Sequence, residues 1–262
     1  MPDITSIHNP RIQSIRELLS KRAAREEQGL FVVEGVRLAE EALQHGAIPT
    51  TIIYAESLSE RGQTLVQDAR TRGISVVTIS EDVLQRISET ENSQGILLVL
   101  PLPASPLPAN LDFVLVLDQI RDPGNAGTML RTAAAAGIQA VLSTPGTTDL
   151  FAPKVVRSGM GAHFRLGLKM CPWPEIHSIC KERENPLKIL LAESGEGESI
   201  WHQDMRQPVA VVIGGEAEGA GADARRYCDS LVRIPMPGQF ESLNAAVAAA
   251  ILLFEGVRQR SI

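Results

Sequence analysis

A chain of 262 residues, 44% hydrophobic and 21% charged, is long enough for a packed core in one domain or two and too apolar for wholesale disorder. Its net charge of −6 argues against indiscriminate phosphate binding but allows a local basic surface on an acidic body. Three cysteines, Cys171, Cys180 and Cys228, form no CxxC pair and leave an odd one. A reduced, cytoplasmic protein without zinc is expected from that usage. The first residues, Met1-Pro-Asp-Ile-Thr-Ser6, have neither a basic nor an apolar signal region, and no membrane-spanning stretch is expected. His8, His45, His163, His177 and His202 are scattered without ligand spacing, so no metal site is expected.

In chain order, residues 10–27 place Ile12, Ile15, Leu18 and Leu19 at helical spacing, with arginines and lysines elsewhere on the cylinder. Leu30 to Val33 reads as a buried strand, followed by Glu34-Gly35 and a helix from Val36 to His45. Strands at 51–54, 74–79 and 95–100 alternate with helices near 60–72 and after Ser80, which predicts a small N-terminal α/β sandwich over residues 1–100. Residues 101–110 carry four prolines and no charge, a semi-rigid linker and the expected domain boundary. Residues 111–262 predict a second α/β domain, with strands at 113–117, 139–143, 187–192, 209–213 and 231–234. Its helices are expected at 127–136, 152–159, 174–184, 220–227 and 243–258.

Three segments of this second domain can carry chemistry. In Leu117 to Ala133 a strand ends, a Gly/Pro-rich loop turns, and a helix begins with its amides over the strand tip, a geometry suited to an anion or a ribose edge. Asn125 and Arg131 are then expected to face one pocket, although the same residues also satisfy an ordinary strand–turn–helix corner. In Val209 to Gly221 a buried strand delivers a glycine-rich loop with two carboxylates, Glu216 and Glu218. Neither G-x-G-x-x-G nor a Gly-Lys-Ser/Thr ending occurs, so this is no dinucleotide fingerprint or P-loop. The loop reads equally as a grip for a heterocycle's edge or as a flexible turn with solvated acids. The third segment is a strand at 231–234, a Pro235-Met-Pro-Gly238 turn and a helix expected to start near Ser242, with Asn244 in its first turn. From Ala245 to Phe254 that helix is apolar on every face and is expected to be buried.

Asn125-x-Gly127-x-x-x-Arg131-Thr-Ala, Gly214-x-Glu216-x-x-Gly219 and Ile234-Pro-Met-x-Gly238-x-x-Glu-Ser242-Leu-Asn244 resemble, in order and spacing, motifs 1, 2 and 3 of the SpoU (TrmH-type) RNA 2′-O-ribose methyltransferases of the SPOUT superfamily. Phe31-Val-Val-Glu34-Gly35-x-Arg37 resembles the substrate-binding domain fused ahead of that catalytic domain, a relative of small ribosomal RNA-binding folds. The resemblance implies an α/β domain with a deep trefoil knot that binds S-adenosylmethionine, and a homodimer paired through the final helix and the motif 1 region. It implies Arg131, Asn125, Glu216, Ser242 and Asn244 as catalytic residues. For the cofactor it implies Ala192, Ile213, Gly214, Gly215, Gly219, Ile234, Met236, Ser242, Leu243 and Asn244.

The implied reaction methylates a ribose 2′-hydroxyl, which RNA has and DNA lacks. The fused N-terminal domain points to large-subunit ribosomal RNA. Transfer RNA, or a non-catalytic RNA-binding or ribosome-assembly role, is the alternative, whereas a nicotinamide dehydrogenase lacks its glycine spacing. For gripping RNA, residues 150–174 supply Lys154, Arg157, Arg165 and Lys169 with no acid among them. Arg11 and Arg37 are further candidates, although Glu17, Glu26 and Glu27 nearly cancel the charge of the first helix.

Overall fold

The computed structural model describes residues 1–90, 93–103, 107–216, 219–238 and 240–261. It divides into two compact units, Met1–Ala104 with Phe151–Phe164, and Ser105–Leu150 with Arg165–Ile262.

The first unit is a four-stranded sheet of β1 (Leu30–Glu34), β2 (Thr51–Ala55), β3 (Val76–Ile79) and β4 (Ile96–Pro101), in the order β1-β4-β2-β3. β4 runs antiparallel to both β1 and β2, and β2 pairs parallel with β3. Period-two alternation gives the sheet two apolar faces. Val32, Leu97 and Val99 pack beneath α1 (Pro10–Ser20) and α5 (Glu81–Ile87), whereas Phe31, Val33 and Leu98 pack with α3 (Val36–Gln44) and α4 (Glu60–Thr71). The single helix expected over 10–27 is two, because Lys21 is extended and α2 (Arg22–Gln28) starts after it. The buried Arg25 guanidinium turns back to donate to the carbonyls of Leu18 and Leu19, satisfying oxygens that the break leaves open.

A segment distant in sequence completes this unit. Phe151, α7 (Pro153–Gly159) and Phe164 lie on the second face, with the Phe31 and Phe151 rings edge-on at 5.1 Å and Val156 buried between the layers. A boundary drawn only at the proline-rich linker therefore misses a piece of the N-terminal core. A fragment ending at Pro103 is expected to lose at least about 2 kcal/mol, because it gives up the buried Val156 together with the half-buried Phe151 and Phe164. Urea unfolding of that fragment with and without a peptide spanning 151–164 checks this, the peptide raising the midpoint.

The second unit is a seven-stranded sheet: β5 (Phe113–Asp118), β6 (Ala140–Ser143), β7 (Gly167–Met170), β8 (Lys188–Ala192), β9 (Glu198–Ser199), β10 (Val209–Gly214) and β11 (Ser230–Arg233). The order is β7-β6-β5-β10-β8-β11-β9 and every pairing is parallel. Its central strands are continuous apolar runs because both faces are covered. The helices are α6 (Pro123–Ala135), α8 (Trp173–Lys181), α9 (Ala222–Tyr227) and α10 (Ala245–Arg260). β7 and β9 escape sequence reading: both are exposed edge pieces, one carrying Lys169 and the other two residues long. Among the described residues no helix is long and apolar enough to cross a membrane.

Two features anchor α10. Gly256 passes the ring of Phe113 so closely that an added Cβ would lie 2.7 Å from it. Arg260 stacks over the same ring at 4.4 Å and donates to the carbonyls of Met205, Asp112 and Gln207. The expectation that α10 is buried all round needs correction. Val247 and Phe254 are 48% and 47% exposed, and with the half-buried Ile251 they form an uncovered apolar stripe at i, i+4 and i+7.

Candidate active site

In open parallel sheets, ligands bind beyond the carboxyl ends of the strands. Here β8, β10 and β11 deliver three loops to that edge, and α10 starts against them. α10 begins at Ala245, later than expected, and Asn244 is its N-cap: Oδ1 accepts from the amides of Ala246 (2.9 Å) and Val247 (3.2 Å). α6 begins earlier than expected, with Asp122 accepting from the Asn125 amide at 2.7 Å and Pro123 in its first turn. Asn125 thus lies in the first turn of α6.

These caps bring the three motifs together. Asn125 Nδ2 donates to Glu216 Oε1, and Asn125 Oδ1 accepts from Asn244 Nδ2 at 3.1 Å. An ionised carboxylate only accepts, so Glu216 requires the Asn125 NH₂ and turns its carbonyl toward Asn244. Asn244 must then present its own NH₂, which leaves its oxygen for the helix cap. One carboxylate thereby sets two amide orientations and ties the β10 loop to the starts of α6 and α10.

Beside this junction lies a cavity of about 540 Å³, within the range of small-molecule sites. Ala192, Ile213, Gly214, Gly215, Gly219, Ile234, Met236, Ser242, Leu243 and Asn244 line it, together with Glu216. The wall also includes Glu193, Ser194, Ala220, Val232, Glu241, Ala245 and Ala248. Ala245 and Ala248 lie three residues apart at the start of α10, a small-residue spacing readable in the sequence once a ligand is placed there. Gly214 permits the tight return of its loop, since a Cβ there would stand 2.4 Å from the Ala220 nitrogen. Glu218 lies outside the described residues. The described lining holds three carboxylates, Glu193, Glu216 and Glu241, and no Lys, Arg or His. Arg225 offsets Glu193 at 2.9 Å, and the remaining field favours a cationic guest over a phosphate.

Arg131 is placed differently from the expectation. It is exposed, it does not line the cavity, and it shares the outer face of α6 with Thr128 and Ala135. At 100° per residue, its six-residue offset from Asn125 puts it on another face.

The four basic candidates of 150–174 do not form one uncompensated patch. Lys154 and Arg157 belong to the first unit, Arg165 and Lys169 to the second. Arg157 pairs with Glu89 at 3.1 Å and Lys169 with Glu175 at 2.6 Å, acids from outside the stretch. Lys154, Arg165, Arg11 and Arg37 are exposed. Burial pushes the Cys171 and Cys180 thiols up to about 11, so both are packing residues and poor nucleophiles.

Residues 112–254 match the SpoU rRNA Methylase family. The chain belongs to that family. Residues 9–98 of this SpoU methylase match the MRM3-like substrate binding domain. It is 33% identical to the 23S rRNA (guanosine(2553)-2'-O)-methyltransferase RlmP of Bacillus subtilis, over 97% of this chain and 98% of that one. It is 34% identical to the 23S rRNA (uridine(2479)-2'-O)-methyltransferase of Streptomyces viridochromogenes, over 98% and 92% of the two chains. The crystal structure of the SpoU methyltransferase AviRb from Streptomyces viridochromogenes in complex with AdoMet superposes with a TM-score of 0.83 at 30% identity, covering 97% of this chain and 99% of that one.

Proposed function

We propose that this SpoU methylase transfers a methyl group from S-adenosylmethionine to a ribose 2′-hydroxyl of large-subunit ribosomal RNA. The observation that carries this reading is the Glu216–Asn125–Asn244 junction at the edge of an acidic cavity. S-adenosylmethionine is a cation at sulfur and bears an ammonium group, and it supplies an activated methyl. The lining fits it: carboxylates answer its charge, while Ile213, Ile234, Met236 and Leu243 offer apolar contact and the glycine backbones offer amides and carbonyls. A nicotinamide dinucleotide would bring a pyrophosphate to the same acids.

In this reading Asn244 and Ser242 border the approach of the hydroxyl, and Asn125, held by Glu216, keeps Asn244 in place. Arg131 is no general base, because a guanidinium stays protonated in proteins. It grips the phosphate next to the target ribose and polarises the oxygen, whose proton leaves to water. The position of Arg131 outside the cavity of its own chain supports a symmetric dimer in which each subunit completes its partner's site. The uncovered stripe of Val247, Ile251 and Phe254 supports pairing through α10, which packs against α6. Sedimentation showing a monomer at micromolar concentration would contradict that pairing.

The trefoil knot belongs to the same proposal. It is supported by the close passage of the final helix, where a Cβ on Gly256 would lie 2.7 Å from the Phe113 ring. Exposed Lys154, Arg165, Arg11 and Arg37 are the proposed phosphate contacts, and a reducing cytoplasm suits the three free thiols.

Calorimetric titration with S-adenosylmethionine, followed by labelled-methyl transfer to 23S ribosomal RNA and to bulk transfer RNA, tests the reading. Binding with transfer to ribosomal RNA is expected. Transfer to transfer RNA alone would replace the substrate, and absence of cofactor binding would overturn the enzyme. The two relatives named above modify a guanosine and a uridine, so the modified nucleotide must be mapped on this protein's own product.

A further inference from the structure

Asp118 ends β5 without touching the cavity, yet it is 1% exposed and collects donors from three separate segments. Its Oδ1 accepts from Thr144 Oγ1 at 3.0 Å and from Trp173 Nε1 at 2.9 Å, and its Oδ2 accepts from the Gly221 amide at 2.7 Å. The Gly221 bond closes the loop that lines the cavity. That loop leaves the sheet at Gly214, which sits in register beside Asp118, and it returns at Gly221 to the Asp118 carboxylate. Between those points it carries Gly215, Glu216, Gly219 and Ala220 of the cavity wall, with Gly215 and Gly219 bridged to each other.

The neighbouring residue reinforces the closure. Gln119 takes a left-handed backbone at φ 58, which a non-glycine residue adopts only when its surroundings impose it. Its amide donates to Thr144 Oγ1 at 3.1 Å, the hydroxyl that donates to Asp118. In that conformation its carbonyl oxygen lies where it would stand 2.7 Å from a Cβ on Gly215, and its side-chain nitrogen 2.8 Å from one on Gly221. Both ends of the loop are thus seated against the turn that follows β5.

We propose that Asp118 is a positioning residue for the cofactor. By closing loop 214–221 at Gly221 it fixes the backbone edge on which the cofactor lies and the carboxylate that orients Asn125. The proposal rests on the methyl-transfer reading. Only an acceptor-only side chain serves three N–H and O–H donors at this place. In Asp118→Asn, one amide hydrogen must face either the Gly221 or the Trp173 N–H, a donor–donor contact in a buried site.

Asp118→Asn is therefore expected to weaken S-adenosylmethionine binding by at least about tenfold while the protein stays folded at assay temperature. Ile138→Val, a buried change at the amino end of β6 and so at the opposite edge of the sheet from the loop, lowers the melting temperature and is expected to leave the cofactor Kd within about twofold. Equal affinity in Asp118→Asn and wild type overturns the brace, as does an equal loss in Ile138→Val, which would make it a stability effect. Hydrogen exchange on the wild type tests the brace even if Asp118→Asn does not fold. The Gly221 amide is expected to exchange at least about 100-fold more slowly than an open loop, and exchange at the open-loop rate overturns the proposal. Failure of wild type itself to bind S-adenosylmethionine strikes the functional reading instead.

Discussion

Asn244→Ser is expected to keep the melting temperature within about 3 °C of wild type while kcat/KM for methyl transfer falls about 100-fold or more. The two effects separate because Asn244 does two jobs with its two ends. Its Oδ1 caps α10 through the amides of Ala246 and Val247, and its Nδ2 donates to Asn125. Serine caps a helix about as well as asparagine, so the start of α10 survives. The shorter side chain spends its single oxygen on the cap and no longer reaches Asn125. Asn125 then keeps its bond to Glu216 but loses the partner that fixed its carbonyl, and the segment carrying Ser242 and Leu243 loses its tie to α6. A displacement of about 1 Å at a reacting centre costs on the order of 100-fold in rate. Asn244→Ala adds the lost cap, about 1 kcal/mol, which thermal unfolding will report separately. Activity within threefold of wild type in Asn244→Ser would show that the junction is structural only.

How much of this was readable beforehand follows from the kind of information each feature needs. Strands such as Phe113–Asp118 and Val209–Gly214 announce themselves as apolar runs bounded by glycine, proline or acid, and they fold where the pattern puts them. The cavity residues after β10 and β11 were legible through the motifs that resemble those of the family, whereas the loop after β8 carries no sharp motif and yields only Ala192. Pairing between loops was not legible, since no periodicity reports that Glu216 meets Asn125 across 91 residues of chain. The same blindness hid the return of Phe151–Phe164 to the N-terminal unit, because composition read along the chain sees only the proline-rich linker. It also hid Glu89 and Glu175, which neutralise Arg157 and Lys169. α10 shows the opposite limit. Its sequence states that every face is apolar, but not whether a neighbour in the same chain or a second copy covers Val247 and Phe254.

Arg131→Lys is expected to lower kcat at saturating S-adenosylmethionine by about 100-fold, with cofactor Kd and melting temperature close to wild type. Arg131 is exposed on the outer face of α6 and, among the described residues, makes no hydrogen bond or ion pair within its own chain. Its loss therefore costs little stability. Lysine keeps the charge but not the planar fork that holds a phosphate through two parallel bonds, so the two residues are not equivalent at such a site. A near-wild-type rate would show that a point charge suffices. Co-expression then tells which pocket the residue serves. Neither Arg131→Ala nor Asn244→Ser alone has a complete site if arginine and pocket must act together. Should each arginine serve the partner's pocket, random pairing of the two variants makes about half the dimers mixed, with one complete site each, so about a quarter of wild-type activity returns. If instead each arginine serves its own pocket, every site in the mixture lacks one component and nothing returns. Recovery of activity on mixing thus places Arg131 at a partner's pocket, and its absence removes the support for an arginine shared between subunits.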